Sequence, residues 1–355
     1  MAAGEKTMLA ARLHNPSDMR LEQVDFPPSP KKGEALIRVL KSGICGSDLH
    51  IFKNGRIGDT IVDSPMIIGH EFCGVVEEVG DDAYDGNYSL LKAGTRVAID
   101  PARPCYHCEQ CRKGNPNLCV NLQFCGNYPC DGCFCEYLIT PSRCCFPLPE
   151  EISDVEGVLL EPLGVAIHSV DLAYIKPAYS AAIYGAGPIG LLILQVARLA
   201  GADPVYIVDR YDWRLELASE FGGIPINCEK ESPIKRIMSE TSGRGVDVAF
   251  EAAFGEETNN LAAESVCNGG RIVLTGIPED DKLLIRHSTA RRKGLTILMC
   301  RRMKHTFPRA INLVKNKKVN LSSLVTHRFP LNDIVEAFKL NLAYNDRVVK
   351  VIIEN

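Results

Sequence analysis

The sequence predicts an α/β protein of two domains, a small β-barrel-like domain followed by a doubly wound parallel sheet. Three observations carry this expectation. At 355 residues the chain is about twice the length of a typical single domain. Residues 1–150 read as short β-branched runs separated by turns, whereas from Ser180 the rhythm becomes strand, helix, strand. Hydrophobic residues make up 46 % and charged residues 24 %, a globular balance with enough apolar material for two cores.

The early strands are GEALIRVLKSGI from Gly33, GHEFCGVVEEVG from Gly69 and GTRVAID from Gly94, each bounded by Gly or Asp. The second domain opens with the strand SAAIYG and a helix from Pro188 to Leu199. The strand PVYIVD and a helical stretch around Trp213 to Phe221 then complete a βαβ unit. Alternation continues through VDVAFEAA from Val246, a helical pattern from Thr258 to Val266, GGRIVLTG from Gly269 and GLTILMC from Gly294, the profile of a parallel sheet. Beyond Met303, PRAINLVKN and LNDIVEAFKLN read as helices and LVTHRFP and RVVKVIIE as strands, a tail able to complete the first domain. No repeat or low-complexity tract interrupts the chain.

The formal net charge is −4 and like charges form no long block, which argues against a nucleic-acid or anionic-membrane partner. The N-terminal stretch has no apolar core with a cleavage site, and no apolar run reaches the ~18 residues of a membrane span, so the expectation is a cytoplasmic protein. Most of the 15 cysteines fall between Cys45 and Cys145, with Cys228, Cys267 and Cys300 alone beyond them. Thiols stay reduced in a large cytosolic chain, so this concentration raises the question of metal.

The segment YGAGPIGLL carries G-x-G-x-x-G as Gly185, Gly187 and Gly190, with Pro188 and Ile189 inside the loop, between a predicted strand and a predicted helix. The first glycine serves the tight turn, the second lets backbone approach a pyrophosphate, and the third lets helix pack on strand. Asp209, nineteen residues after Gly190, ends the second strand where a carboxylate accepts from a ribose with a free 2′-hydroxyl. NAD is therefore expected over NADP, although Arg210 and Arg214 lie close enough in sequence to receive a 2′-phosphate.

Cys105, Cys108, Cys111 and Cys119 stand as C-x2-C-x2-C-x7-C. Four thiolates so spaced can wrap a tetrahedral zinc and leave no position for water, which predicts a structural ion. His107 is expected to point outward. Cys125, Cys130, Cys133, Cys135, Cys144 and Cys145 are less regularly spaced and read as small buried residues or adventitious metal ligands rather than a third designed site. Three further fragments hold chemistry: ICGSDLH with Cys45, Ser47, Asp48 and His50, IIGHEFCG with His70 and Glu71, and LLEPLG with Glu161. Cys, His and Glu are ligands that zinc accepts while keeping an open position, and glycine neighbours suggest strand ends and turns.

Taken together, GICGSDLH, GHEFCGVVEEVG, the four-cysteine lobe, LLEPLGVAIHSV, GAGPIG and LVTHRFPL resemble the zinc-dependent medium-chain dehydrogenases of the alcohol dehydrogenase family, most closely the sorbitol (polyol) dehydrogenase branch. The likeness implies a GroES-like catalytic domain formed by 1–159 and 303–355 and a Rossmann cofactor domain at 160–302. It implies a catalytic zinc held by Cys45, His70 and one or both of Glu71 and Glu161, and a second, structural zinc in the lobe. Asp48 would orient the histidine ligand, Ser47 and His50 would pass a proton to solvent, and Arg302 would touch substrate near the nicotinamide. The activity implied is oxidation of a secondary alcohol, a polyol or sugar-derived alcohol, to a ketone with hydride transfer to NAD.

The sequence departs from that branch at Arg301, Met303, Lys304 and His305, and FEAAFG lacks the family's frequent Cys-Thr-Gly. The substrate could therefore be another secondary alcohol, such as a threonine-like, inositol or amino-sugar compound. A non-catalytic NAD and zinc redox sensor is the reading from another class, against which the complete Cys45, His70, Glu71 and Glu161 set argues. The family implies a homo-oligomer, dimer or tetramer. GGRIVLTG and GLTILMC suit either a shared sheet edge or buried central strands.

Overall fold

The computed structural model describes residues 6–253 and 255–355. The opening residues of the leader reading and Phe254 of FEAAFG lie outside the described residues. The chain divides into two compact units, one running to Glu161 and resuming at Phe307–Asn355, the other spanning Pro162–Thr306.

The strand Glu34–Gly43 organises the first unit. It is antiparallel to three strands at once: Glu71–Val79, Tyr137–Pro141 and Lys350–Glu354. The sheet runs Cys145–Pro147, Arg96–Ile99, Glu71–Val79, Glu34–Gly43, Lys350–Glu354, Val325–Pro330, with Tyr137–Pro141 added on the central strand. Ala35, Leu36, Ile37 and Val39 are buried, as a strand packed on most sides demands. The tail contributes to the same core: Phe338 packs on Phe52 and Phe134 with ring centroids 5.0 and 5.7 Å apart. An N-terminal hairpin, Thr7–Asn15 with Asp18–Asp25, joins the short strand Met66–Ile67 in a second sheet.

The second unit is a six-stranded parallel sheet in the order Ile224–Asn227, Val205–Asp209, Ala181–Tyr184, Val246–Glu251, Val266–Leu274, Thr296–Met299. Chain order reverses on the two sides of Ala181–Tyr184, and ligands of such sheets bind outside the carboxyl ends of the strands at that reversal. Thr296–Met299 is an outer strand, with Ile297 37 % and Met299 65 % exposed. No helix among the described residues is long and apolar enough to cross a membrane.

Two placements differ from the strand ends and turns expected for the chemical residues. Ser47, Asp48 and His50 lie on a helix, Gly46–Asn54, closed by Gly55 with its φ of +64°. Glu161 lies inside a 20-residue helix, Asp154–Ala173, with Pro162 within it. That helix starts with a capping box: Ser153 N–H donates to Glu156 Oε2 at 2.9 Å and Glu156 N–H donates to Ser153 Oγ at 3.3 Å. Its apolar residues Val158, Leu159, Leu160, Leu163, Ala166 and Ile167 are buried, and this packing outweighs the helix-breaking proline and glycines. The cuts between units fall after Glu161 and Thr306 rather than after 159 and 302. The helix runs through the first cut, and Met303 and Thr306 sit where a side chain on Gly164 would stand, 2.7 and 2.8 Å away.

Candidate active site

Cys45 follows the central strand of the first unit and precedes the helix Gly46–Asn54, so a rigid strand and a capped helix fix it from both sides. Asp48 Oδ2 accepts the Cys45 backbone N–H at 2.9 Å, and Asp48 Oδ1 lies 3.2 Å from His70 Nδ1. Asp48 is fully buried, as are His70 and Glu71 nearly so. The ligand atoms of Cys45, His70 and Glu71 all lie within 4.8 Å of one another.

A carboxylate at one ring nitrogen of His70 fixes the tautomer and presents the lone pair of the other. Burial disfavours a charged His70, but the Asp48 carboxylate and the Cys45 sulfur outweigh it and hold the imidazole well above its ordinary pKa. The negative field that draws a proton to this ring would draw a divalent cation as well, so the donor set fits zinc. Glu161 stands outside the three-ligand cluster. Its carboxyl is buried and pushed up to about 7, by desolvation first, with His70, Glu71, Asp100 and Lys350 close enough for their charges to act on it. Ser47 and His50 are half-buried and three residues apart, hence on one face of their helix.

Cys105, Cys108, Cys111 and Cys119 form the second cluster, their sulfurs within 4.8 Å of one another. Cys119 Sγ lies 3.5 Å from Cys105 Sγ and 3.9 Å from Cys108 Sγ. A tetrahedral ion with bonds of about 2.3 Å needs sulfurs roughly 3.8 Å apart, so the lobe is shaped for one. Backbone N–H groups of Cys111 and Val120 pull the Cys108 thiol down to about 6, while burial and neighbouring sulfurs push Cys111 up to about 12. His107 is exposed, its Nδ1 2.6 Å from the Cys105 carbonyl, outside the cluster. Of the remaining cysteines, Cys125, Cys133, Cys135, Cys144 and Cys145 are buried core residues, and burial raises each thiol out of reactive range.

In the second unit the strand Ala181–Tyr184 turns at Gly185, φ +105°, into the helix Pro188–Leu199, capped by Gly187 with Pro188 in its first turn. A Cβ on Gly190 would fall 1.8 Å from the Gly185 carbonyl oxygen. At Gly187 it would meet only Arg214 Nη1, at 3.8 Å, so the loop leaves the hollow a pyrophosphate fills. Ile189 is half-buried beside it. Asp209 accepts the backbone N–H groups of Ala186 at 2.7 Å and Tyr211 at 3.0 Å, which ties the second strand to the loop. Arg214 is buried, with Nη1 3.9 Å from Asp209 Oδ2 and its guanidinium 5.4 Å over the Tyr211 ring, whereas Arg210 is exposed. The acid thus has a buried cation as neighbour, a pairing the sequence alone left open.

Arg302 is half-buried in the second unit, with φ +58°. Ser169 Oγ lies 3.1 Å from Thr275 Oγ1 and 3.2 Å from Cys300 Sγ, and the Cys300 thiol faces the Arg302 carbonyl at 3.6 Å. Sequence reasoning missed two residues that pack against the metal cluster. The Phe124 ring packs 5.3 Å from the His70 ring, and Lys350, from the last strand, is buried against Glu71. An isolated Lys inside the apolar run VVKVIIE was the available signal, since a charge there must be paired.

Comparison with known proteins agrees with this architecture. The family model described as alcohol dehydrogenase GroES-like domain matches residues 31–150, and that described as zinc-binding dehydrogenase matches residues 188–316. The chain is 33 % identical over 349 residues to sorbitol dehydrogenase of Bacillus subtilis, covering 98 % of this chain and 97 % of the relative. It is 36 % identical over 342 residues to sorbitol dehydrogenase of Homo sapiens, covering 95 % and 94 %. Among solved structures, 2R,3R-butanediol dehydrogenase from Bacillus subtilis superposes with a TM-score of 0.87 at 32 % identity, covering 98 % of this chain and 99 % of that one.

Proposed function

The chain belongs to the zinc-dependent medium-chain alcohol dehydrogenase family, in its polyol branch, and from that premise we propose which residues carry the reaction. It is an oxidoreductase that takes a polyol or other secondary alcohol to the ketone, with zinc and a nicotinamide dinucleotide as cofactors. The juxtaposition of Cys45, His70 and Glu71, with Asp48 behind the histidine, is the observation that carries the assignment.

Cys45, His70 and Glu71 would hold the catalytic zinc, with Glu161 as a further carboxyl near His70 and Glu71, and Cys105, Cys108, Cys111 and Cys119 would hold the structural one. When bound, the catalytic ion lowers the pKa of a hydroxyl toward neutrality and the nicotinamide accepts a hydride. Asp48 holds His70 in one tautomer. Ser47 takes the hydroxyl proton, and His50, on the same helix face, passes it to solvent. Gly185, Gly187, Pro188, Ile189 and Gly190 form the pyrophosphate loop. Asp209 would accept from the adenosine ribose, which favours NAD, with Arg214 and Arg210 as flanking cations. Arg302 orients the substrate's hydroxyls.

Replacing Asp48 with Asn keeps the shape and removes the charge. The expected result is a loss of about 10- to 100-fold in zinc retention and kcat/KM together. Unchanged zinc release from D48N would show that Asp48 only caps its helix.

The function itself is tested by following NADH formation by zinc-replete protein over polyols, inositols, amino sugars, threonine and simple alcohols, with NADP in parallel. Turnover of a polyol class with NAD is expected. Silence over the whole panel, from protein holding two zinc ions and binding NAD, would overturn the polyol assignment and favour an unusual substrate or a sensor.

The partner is a small-molecule alcohol, and the cytoplasm is the compartment we assign, since ligand thiols must stay reduced and all fifteen cysteines are free. A homo-oligomer formed through the strand Thr296–Met299 completes the proposal. Its unpaired edge exposes Ile297 and Met299, and Ile277, Leu283 and Leu284 are exposed in the segment before it. A lysine at Met299 is expected to reduce the solution mass to that of one protomer by light scattering; an unchanged mass would place the interface elsewhere.

A further inference from the structure

Lys350 opens the strand Lys350–Glu354, and its side chain is only 2 % exposed. The ammonium contacts Glu71 Oε2, itself on a side chain 1 % exposed, and donates to the Ile44 carbonyl oxygen at 2.9 Å. A lysine this deep persists only where its charge is paired and its donors are used.

Three adjacent strands build the pairing. Gly43 stands opposite Glu71 on one side and Ile352 on the other, and Lys350 shares a sheet face with Ile352. A Cβ on Gly43 would lie 2.5 Å from Glu71 Oε2 and 3.1 Å from Lys350 Cε, so the central strand gives up its side chain where carboxylate and ammonium meet.

Glu71 is also the third member of the Cys45 and His70 cluster. With metal bound it would therefore have two competing partners, the ion and the buried ammonium of Lys350. We infer that Lys350 is a positioning residue for the metal centre: by holding Oε2 of Glu71 it keeps that carboxylate an exchangeable ligand and so preserves a coordination position for the substrate hydroxyl. This rests on the zinc reading of the site and adds to it the element that tunes ligand exchange.

The inference is tested on the full chain with zinc exchanged for cobalt, whose visible bands report ligand number and type. In Lys350→Met the carboxylate loses its counter-ion and turns to the metal. The d–d bands are expected to shift, metal release to a chelator to slow about 10-fold or more, and kcat to fall more than KM changes. Lys350→Arg keeps the charge and is expected to keep the parent spectrum and release rate. Should the Met variant not fold, Lys350→Gln, which retains an amide donor for Ile44 and Glu71, carries the same expectation. A folded neutral variant with parent bands and parent release would overturn the inference, as would altered bands in Lys350→Arg. Cys45→Ser separates this from failure of the zinc reading: if its cobalt bands match the parent's, only the four-cysteine lobe binds metal and the premise itself falls.

Discussion

Protein carrying Cys45→Ala or His70→Ala is expected to lose turnover by at least ~10³-fold, because a hydroxyl outside a metal's field ionises many pH units above neutrality. The same variants are expected to bind NADH as the parent does, measured by quenching or enhancement of the nicotinamide fluorescence. The loop of Gly185, Gly187 and Gly190 belongs to the unit Pro162–Thr306, and Cys45 and His70 belong to the other unit. Zinc content should fall by one ion per chain while the lobe keeps its own. Substantial turnover by either variant, or loss of metal from the lobe as well, would remove the case for a distinct catalytic centre.

Cys111→Ser attacks the other cluster and should act on stability. Four sulfurs within 4.8 Å of one another have no hydrophobic core to hold the lobe in their place, since Cys105, Cys108 and Cys111 are only half-buried and the helix Glu109–Arg112 buries no residue. The fold of such a segment comes from the ion, and removing one thiolate should forfeit several kcal/mol of binding energy that is also folding energy. For a unit of this size, that corresponds to a fall of roughly 10 °C in apparent Tm. Bound zinc should fall from two ions to one, with kcat per remaining catalytic zinc largely kept at low temperature. An unchanged Tm would mean that the lobe stands on its loops alone.

The parallel sheet was legible because its signals are local. The helix Pro188–Leu199 coincides with the expected one, since Pro at its first position and an apolar stripe mark it without help from elsewhere. The clustering of Cys105, Cys108, Cys111 and Cys119 was legible for the same reason, as spacing within one short motif, whereas Cys45, His70 and Glu71 were joined only by the family resemblance. What the sequence obscured depends on distant neighbours. The helix Asp154–Ala173 holds a proline and two glycines that local rules count against it, while the buried face that stabilises it is a tertiary property, though Ser153 and Glu156 were a readable start signal. ICGSDLH was expected at a strand end or turn because of its glycine neighbours, but Gly46 instead opens a helix in which Asp48 is a good first-turn residue. The pairing of Lys350 with Glu71 joins residues 279 positions apart, and only the strand order brings them together.

The first unit is assembled from chain on both sides of the second. During synthesis from the N-terminus, the segment Pro162–Thr306 leaves the ribosome before Val325–Pro330 and Lys350–Glu354 exist. Its six strands can therefore settle while the earlier sheet, with Tyr137–Pro141 already covering Glu34–Arg38, still leaves the Lys41–Gly43 end of its central strand open and Glu71 without Lys350 beside it. Acquisition of the catalytic metal in its final setting then becomes a closing event of biogenesis, and the cell must shield an unfinished, thiol-rich sheet until the last strand arrives.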